Sequence, residues 1–382
     1  MAGQSVAERA LQALREGRNA EAAALYAQHL ADGRQDVVAA VNGAIALRRL
    51  RRFEEGLRLL EPYAGARLAA VPYTLGQLYS GLRSWSEAVA AYREAQRFQS
   101  TPDLELSLAR ALLALGDYEE GFRFFESRLD VPDFPTKRLQ APGMAEWRGE
   151  SLEGRSILVW MEQGLGDQLQ FARYLPMLRR SARVGVVCHS TLAPLIAPLA
   201  DEVFPKDRPF RARGYDVWTL SMSLPLRFGT TIGTIPPAPY LATPPAYREK
   251  WAGRVPERVG VVWQANPTNP DGALRSLPSP DLLEPIRNAA RVVDLQEPRG
   301  DFGDLAAILE QLDLLISVDT APAHLAGALG LPCWTLLAPV SDWRWGEGEA
   351  TPWYPSLRLF RGSWEEMIAR AARELETAAA RS

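Results

Sequence analysis

The strongest constraint on the fold of this chain is a repeat within residues 1–130. Equivalent positions recur at spacings of 34, 32 and 33 residues, at Asn19, Phe53, Trp85 and Tyr118. A period of about 34 residues is typical of tetratricopeptide repeats, each of which is a pair of antiparallel helices. One pair cannot bury its own apolar face, so neighbouring pairs must stack. We therefore predict tetratricopeptide helical repeats over residues 1–130, with an unrelated helical bundle as the alternative.

The residue pattern changes twice after the repeats. Prolines and glycines over residues 131–155 predict a linker. Short apolar runs then alternate with helical spacing over residues 156–240 and 257–382, which predicts parallel sheets with helices on both faces. A proline-rich connector is expected at 225–258. The predicted fold class is α + α/β: N-terminal helical repeats followed by two Rossmann-like lobes.

Apolar runs and helical spacing also locate the individual elements of these lobes. The predicted strands are residues 157–161, 184–188, 203–204, 217–220, 259–263, 292–295, 314–318 and 333–337, with 358–360 as a further candidate. The predicted helices are residues 168–180, 192–200, 282–290, 304–312, 322–329 and 364–380. Ser363 is placed to cap the last of these helices.

Composition excludes some classes of function. Lys and Arg total 43 against 46 Asp and Glu, whereas nucleic-acid-binding domains usually carry a basic excess. No stretch is long and apolar enough to span a bilayer, and the N-terminus lacks an apolar signal core. The two cysteines, Cys188 and Cys333, lie in apolar runs that fit buried strands and a reducing compartment. We expect a cytoplasmic protein without a nucleic-acid partner or membrane span; the sequence leaves the oligomeric state open.

A glycine-containing segment with an acidic residue follows the first predicted strand of the first lobe. Ligands of open parallel sheets bind at this end of the strands. We expect Gln163, Gly164 and Gly166 to form the loop, and Asp167 to act as the general base that takes the proton of a substrate hydroxyl. The alternative is that Asp167 only caps the following helix. Leu169 stands where a dinucleotide fingerprint needs its third glycine, which disfavours an NAD-dependent enzyme.

A second strand-to-helix segment in the second lobe suits a diphosphate. Asp319, Thr320 and Ala321 precede a helix whose first-turn N–H groups and positive dipole end can hold an anion. The hydroxyl of Thr320 is a further donor, and His324 lies one turn into the helix. The alternative is an ordinary capped helix in which His324 is a satisfied core histidine.

Two further loops follow strands of the second lobe. In the first, Asn266 and Arg275 are candidates for donor binding, and Arg275 is placed to neutralise a leaving diphosphate; a loop arginine is otherwise simply solvated. In the second, Trp343 is a candidate for stacking on a base or sugar, and Arg344 for contacting a phosphate. The alternative is that the aromatic residues anchor this loop to the core.

The chemistry-bearing residues do not form a metal site. There is no Asp-x-Asp pair, and the three histidines, His29, His189 and His324, are too scattered for metal-ligand spacing. A phosphate loop with the Gly-Lys-Ser/Thr ending is also absent. We therefore expect neither a metal nor a cofactor.

Taken together, the chain resembles bacterial proteins that join tetratricopeptide repeats to a glycosyltransferase domain of the heptosyltransferase-like family 9. The matching segments are 116–121, Glu126-x-Arg128, Glu162-Gln163-Gly164-Leu165-Gly166-Asp167, 171–176, Arg275-Ser276, Val318-Asp319-Thr320-Ala321 with 323–330, Asp342-Trp343-Arg344-Trp345 and 353–355. They cover nearly the whole chain and occur in this order.

That resemblance implies a GT-B architecture, in which two Rossmann-like lobes face a cleft and the C-terminal lobe holds the donor. It implies inverting, metal-independent transfer from a nucleotide-diphospho-sugar, which is a co-substrate, to a protein or glycan acceptor, with a protein docked on the repeats. Asp167 matches the family's base, and Arg275 its basic position near the diphosphate. Gln296 follows a strand end, where it would border the nucleoside. The competing hypothesis is a repeat-containing binding protein with a degenerate transferase domain.

Overall fold

The computed structural model describes residues 5–31, 35–132, 134, 144–268, 272–339 and 341–380. Part of the predicted linker and residues 269–271 of the loop before Arg275 lie outside these ranges. The chain divides into two compact units, Met1–Phe134 and Pro135–Ser382. Each unit is described by itself.

Eight α-helices form the described part of the first unit. They are α1 (Val6–Arg15), α2 (Asn19–Ala31), α3 (Val37–Arg49), α4 (Phe53–Leu60), α5 (Ala70–Gly81), α6 (Trp85–Gln96), α7 (Pro102–Leu115) and α8 (Tyr118–Phe125). The four equivalent positions of the sequence repeat are the first residues of α2, α4, α6 and α8. The period therefore marks the start of the second helix of each pair.

The helices of the first unit stack in chain order. Each packs against the next one along the chain, and the first helices of successive pairs also contact one another. Small residues allow this approach: a Cβ at Gly76 in α5 would lie 2.5 Å from the ring of Tyr92 in α6. The stacked helical pairs expected from the repeat are present, while their assignment to the tetratricopeptide class stays a prediction.

The first sheet of the second unit has five parallel strands in the order β1-β5-β2-β3-β4. The strands are β1 (Ala145–Glu146), β2 (Arg155–Trp160), β3 (Ala182–Cys188), β4 (Glu202–Pro205) and β5 (Val217–Leu220). The helices are α9 (Leu165–Phe171), α10 (Leu175–Arg179), α11 (Ala193–Ile196) and α12 (Leu224–Arg227). The short strand β1 was not predicted.

The single helix predicted at 168–180 is wrong in detail. It begins three residues earlier and is interrupted by a 3₁₀ turn at Ala172–Tyr174. Pro176, in the first turn of α10, has no N–H to continue the α-helical bonding of the preceding turn. The effect is a short α9 whose N-terminal turn carries Gly166 and Asp167.

The second sheet also has five parallel strands, in the order β10-β9-β8-β6-β7. Its elements in chain order are α13 (Pro245–Trp251), β6 (Val259–Val262), α14 (Glu284–Ala289), β7 (Val292–Asp294), α15 (Phe302–Leu309), β8 (Leu314–Val318), α16 (Ala321–Leu329), β9 (Cys333–Leu337), β10 (Leu357–Arg361) and α17 (Trp364–Ala379). The prediction of two parallel sheets is confirmed. Their arrangement as a GT-B fold stays a prediction.

The connector between the sheets contains the helix α13. Pro244 and Pro245 occupy the N-cap and first-turn positions, where proline costs no hydrogen bond. α13 packs against α15, and Lys250 and Trp251 both donate to the buried carboxylate of Asp304. The proline-rich segment therefore starts a helix that packs on the second sheet.

Candidate functional site

The loop after β2 is held by its own side chains. The carboxylate of buried Glu162 accepts the N–H of Met222, in the loop after β5, at 3.1 Å. Gln163 adopts a positive φ of 58°, and α9 begins two residues later. The Oδ2 atom of Asp167 accepts the N–H of Gly164 at 3.0 Å. The helix-capping alternative for Asp167 is therefore observed in the structure.

The second carboxylate oxygen of Asp167 forms an ion pair with Arg344, from the loop after β9. The same guanidinium donates to Asp342 at 2.7 Å and to Gln170 at 2.6 Å. Arg344 is buried. The arginine predicted to contact a phosphate thus holds the predicted base instead, and the pair joins the two sheets of the second unit.

The loop after β8 leaves a helix tip open. Thr320 is the N-cap of α16 but makes no side-chain hydrogen bond to its first turn. Arg275 lies beside this tip: its Nη1 donates to the carbonyl of Asp319 at 3.2 Å and is 3.8 Å from Oδ2 of the same residue. Arg275 follows β6 and Asp319 follows β8, and the strand order of the sheet reverses between these two neighbours. Ligands of open parallel sheets bind at such a reversal.

Asp319 is a buried carboxyl whose Oδ2 has no hydrogen-bond partner among the described residues. Burial raises the pKa of Asp319 to about 6, although the nearby positive charge of Arg275 opposes the rise. Strongly perturbed acids in this position relative to a sheet are common in functional sites. The loop therefore presents an unsatisfied acceptor next to a cation.

His324 lies one turn into α16 and is buried. Its Nδ1 lies 3.0 Å from the hydroxyl of Tyr354, and its ring packs 5.1 Å from that of Trp345. Burial, together with the positive charge of Arg344, lowers the pKa of His324 to about 3, so the imidazole is neutral at pH 7. These contacts are those of a satisfied core histidine, which was the alternative for this residue.

The two loops meet at Gly166 and His324. A Cβ at Gly166 would lie 2.7 Å from Cδ2 of His324, closer than real carbon contacts. The helices α9 and α16 pack against each other. The structure therefore brings together Asp167, Arg275 and Asp319 with the tip of α16, around the contact that this glycine allows.

Asn266 and Gln296 are not brought into this cluster by any contact in the described residues. Asn266 is exposed, and its side-chain oxygen accepts the N–H and the hydroxyl of Thr268. The side-chain oxygen of Gln296 accepts the N–H of Gln264 at 2.9 Å, and its amide nitrogen donates back to the Gln264 carbonyl. Gln296 ties the loop after β6 to that after β7, and its contact with a nucleoside stays a prediction.

The structure corrects the stacking role predicted for Trp343. Its side chain is buried, packs edge-on against Trp353 at 5.9 Å between ring centroids, and is covered by the guanidinium of Arg344 at 4.7 Å. A ring enclosed in this way offers no face to a base or sugar. The alternative, in which the aromatic residues anchor the loop to the core, is the observed one.

Sequence reasoning missed the role of Arg173. This fully buried residue of the 3₁₀ turn donates to the carbonyls of Gln170, Pro236 and Trp353 at 3.0, 3.2 and 2.9 Å. Its guanidinium also lies 5.1 Å from the ring of Tyr354. A buried arginine among carbonyls and aromatic rings joins the first sheet to segments that follow it. Only its place in the segment 171–176 singled it out in the sequence.

The helix tip beside Arg275 and Asp319 is the kind of site that binds an anionic ligand. The segment that carries this tip also matches a known protein family. Residues 287–378, which include α16 and the loop after β9, match the model of Glycosyltransferase family 9 (heptosyltransferase). This segment is therefore similar to a family of sugar-transferring enzymes, and the match covers less than half of the chain.

Three individual proteins are similar to this chain. Protein FlbA of Caulobacter vibrioides is 28% identical over 386 residues, which cover 86% of this chain and 64% of FlbA. The chain therefore spans less than two thirds of that relative's length. The structure of E. coli ADP-heptose lps heptosyltransferase II covers 58% of this chain and 98% of its own at 14% identity, with a TM-score of 0.40. A mutant of Thermobaculum terrenum O-GlcNAc transferase covers 98% of this chain and 90% of its own at 14% identity, with a TM-score of 0.36.

None of the helices in the described ranges has the length and apolar character needed to cross a membrane. Within the same ranges, no group of three or more His, Cys, Asp or Glu residues is arranged to hold a metal ion.

Proposed function

We propose that this protein is an inverting glycosyltransferase that moves a sugar from a nucleotide-diphospho-sugar to an acceptor hydroxyl without a metal ion. The observation that carries the proposal is the open tip of α16, where Thr320 leaves the first turn uncapped and Arg275 supplies a positive charge. A helix N-terminus with an adjacent cation is a suitable site for a diphosphate.

In this proposal, the donor lies on the second sheet. The positive dipole end of α16 with the N–H of Ala321, the hydroxyl of Thr320 and the guanidinium of Arg275 meet the charge that builds on the departing nucleoside diphosphate. Pro322 has no N–H, and that of Ala323 already donates to the carbonyl of Thr320 at 3.0 Å. Oδ2 of Asp319, which has no hydrogen-bond partner among the described residues, accepts a hydroxyl of the donor, and this bond would satisfy a buried acceptor. Fixed donors of this kind take the place of a metal clamp.

The acceptor hydroxyl approaches from the first sheet. Its proton passes to Asp167 while the new bond to the sugar forms and the bond between the sugar and the diphosphate breaks. Both carboxylate oxygens of Asp167 are engaged in the structure, Oδ1 by Arg344 and Oδ2 by the N–H of Gly164, so one must be released before it takes a proton. Arg344 lies near Asp319 as well as Asp167. We therefore propose that the bound diphosphate attracts Arg344 and releases Oδ1 of Asp167.

We propose that the acceptor belongs to a protein or a glycan, and that a protein acceptor docks on the helical unit. Stacked helical pairs form extended surfaces that suit polypeptide binding. We also place the protein in the cytoplasm, because both cysteines are free and buried.

The alternative function is a binding protein with an inactive transferase domain. The ion pair between Asp167 and Arg344 favours it, because both carboxylate oxygens of Asp167 already have partners and neither is placed to accept a substrate proton. In this alternative the nucleotide-sugar binds at α16 but is not turned over.

A panel of nucleotide-sugars separates the two functions. We expect at least one donor to be transferred or hydrolysed in the presence of chelator, and Asp167→Asn to lower kcat by about 100-fold or more while leaving donor binding unchanged. Asp313→Asn is the matched control, since this exposed carboxylate pairs only with Arg258. Donor binding without turnover across the panel would establish the alternative, and full activity of Asp167→Asn would refute the base assignment.

A further inference from the structure

Lys206 lies directly after β4, at the carboxyl ends of the first sheet's strands. Its backbone N–H donates to the carbonyl of Cys188 at 2.8 Å and so continues the pairing of β4 with β3. The side chain therefore starts from a fixed point of the sheet. It is half-buried and extends toward the loop that follows β2.

The ammonium group of Lys206 binds the backbone of that loop. Its Nζ donates to the carbonyl of Met161 at 3.3 Å and to that of Gln163 at 3.4 Å. The side-chain amide of Gln168 donates to the Gln163 carbonyl as well, at 3.2 Å. A solvated surface lysine would leave its ammonium in water, whereas this one gives two of its three donors to a single turn.

The turn needs such support because of the conformation of Gln163. Its φ of 58° is in the left-handed region, which costs a residue other than glycine about 1–2 kcal/mol. Such conformations persist where the surrounding contacts impose them, and they cluster at active sites. The next residue, Gly164, carries the N–H that binds Oδ2 of Asp167. A change in the turn would thus move the partner of the proposed base.

We propose that Lys206 is a positioning residue that holds the turn at Gln163 and, through the N–H of Gly164, orients the carboxylate of Asp167. The proposal rests on the proposed function, because it treats Asp167 as the base. Lys206 does not touch the reacting atoms. It acts through the backbone between Met161 and Gly164.

The charges around the ammonium are consistent with this role. Burial lowers the pKa of Lys206, and the nearby carboxylates of Asp167, Asp207 and Glu162 act in the opposite direction. A cation among three carboxylates is unsuited to binding an anionic ligand, but it balances the negative charge around the loop.

Hydrogen exchange of the loop tests, without a known substrate, whether Lys206 stabilises the turn at Gln163. In Lys206→Met, we expect the amides of residues 162–168 to exchange about tenfold faster, because two charge-assisted hydrogen bonds are lost. Lys206→Arg keeps donors that reach the same carbonyls and is expected to restore slow exchange. Lys250→Met is the matched control, since Lys250 pairs with Asp304 of the helix α15 and should leave the loop unchanged.

Activity with an identified donor tests the positioning role. We expect Lys206→Met to lower kcat about tenfold without changing donor affinity, and Lys206→Arg to recover most of the loss. Unchanged loop exchange in Lys206→Met would overturn the proposal. So would an equal loss of kcat in both variants. If the wild type used no donor at all, the proposed function would fail, while the exchange result would still decide whether Lys206 holds the turn.

Discussion

The two sheets of the second unit share a local structure whose helix tips differ. In each, the middle strand runs into a loop and then a helix: β2 leads to α9, and β8 leads to α16. The tip of α9 is closed, because Asp167 caps it from within and Arg344 covers the remaining oxygen. The tip of α16 is open, because Thr320 makes no cap and Asp319 keeps an unsatisfied oxygen.

The difference shows what each tip can do chemically. At the tip of α9, the N–H of Gly164 and the guanidinium of Arg344 hold the carboxylate of Asp167 in place. At the tip of α16, an arginine lies beside a positive dipole end, which attracts an anion. Since Gly166 lets the two tips touch, the protein places a held carboxylate next to an anion site. The predictions below test this contrast, beginning with the largest effect.

The buried carboxyl of Asp319 should make stability depend on pH. Burial raises its pKa to about 6 from 3.8, so between these two pH values the folded protein keeps a proton that the unfolded chain has lost. The stability it contributes is fully present below pH 3.8 and is lost as pH rises through about 6, a difference of about 3 kcal/mol. We expect Asp319→Asn to abolish this loss, as measured by urea unfolding between pH 4 and pH 7.

Asp313→Asn is the control for this effect. The Asp313 carboxylate is exposed, and its hydrogen bond to Arg258 lowers its pKa. A carboxylate of this kind adds stability as pH rises, so Asp313→Asn should not remove the loss of stability seen in the wild type. If the wild type and Asp319→Asn gave parallel curves of stability against pH, the pKa of Asp319 in the folded protein would not be raised. The tip of α16 would then carry an ordinary charged carboxylate between pH 4 and pH 7.

Arg275 should account for much of the attraction of the open tip for a diphosphate. Charge-assisted hydrogen bonds contribute about 1.5–3 kcal/mol, so Arg275→Gln is expected to weaken nucleoside-diphosphate binding by tenfold or more. Calorimetry at two salt concentrations measures the effect. Arg258→Gln removes an exposed arginine of the same sheet and should change nothing. Equal affinities for Arg275→Gln and the wild type would place the anion elsewhere.

Several of the elements that carry this difference between the two helix tips could be predicted from the sequence. β8, β9 and β5 have the predicted bounds, because a buried parallel strand is a short apolar run whatever packs on it. The segment Asp319-Thr320-Ala321 was singled out from local features alone, and its binding of a diphosphate stays a prediction. The repeat period located the start of every second helix in the first unit. All of these depend on neighbours in sequence.

The closed tip could not be predicted in full, because it depends on contacts far apart in the chain. Arg344 pairs with Asp167 across 177 residues, and Arg173 bonds to Trp353 across 180. Nothing local distinguishes an arginine that will be buried against a carboxylate from one that will face a phosphate. Trp343 was misjudged for the same reason, because whether a ring is exposed depends on the segment that covers it.

The smallest predicted effect separates a cap from a binding hydroxyl. Ser363 caps α17 by accepting the N–H of Glu366 at 3.2 Å, whereas the Thr320 hydroxyl makes no such bond to α16. Ser363→Ala should therefore cost about 1 kcal/mol of unfolding free energy, and Thr320→Ala less than about 0.5 kcal/mol. If the Thr320 hydroxyl is instead reserved for the donor, Thr320→Ala should weaken nucleoside-diphosphate binding while Ser363→Ala leaves it intact. Equal losses of stability in the two variants, with unchanged binding in both, would mean that Thr320 is an ordinary cap and that the two tips do not differ in the way described.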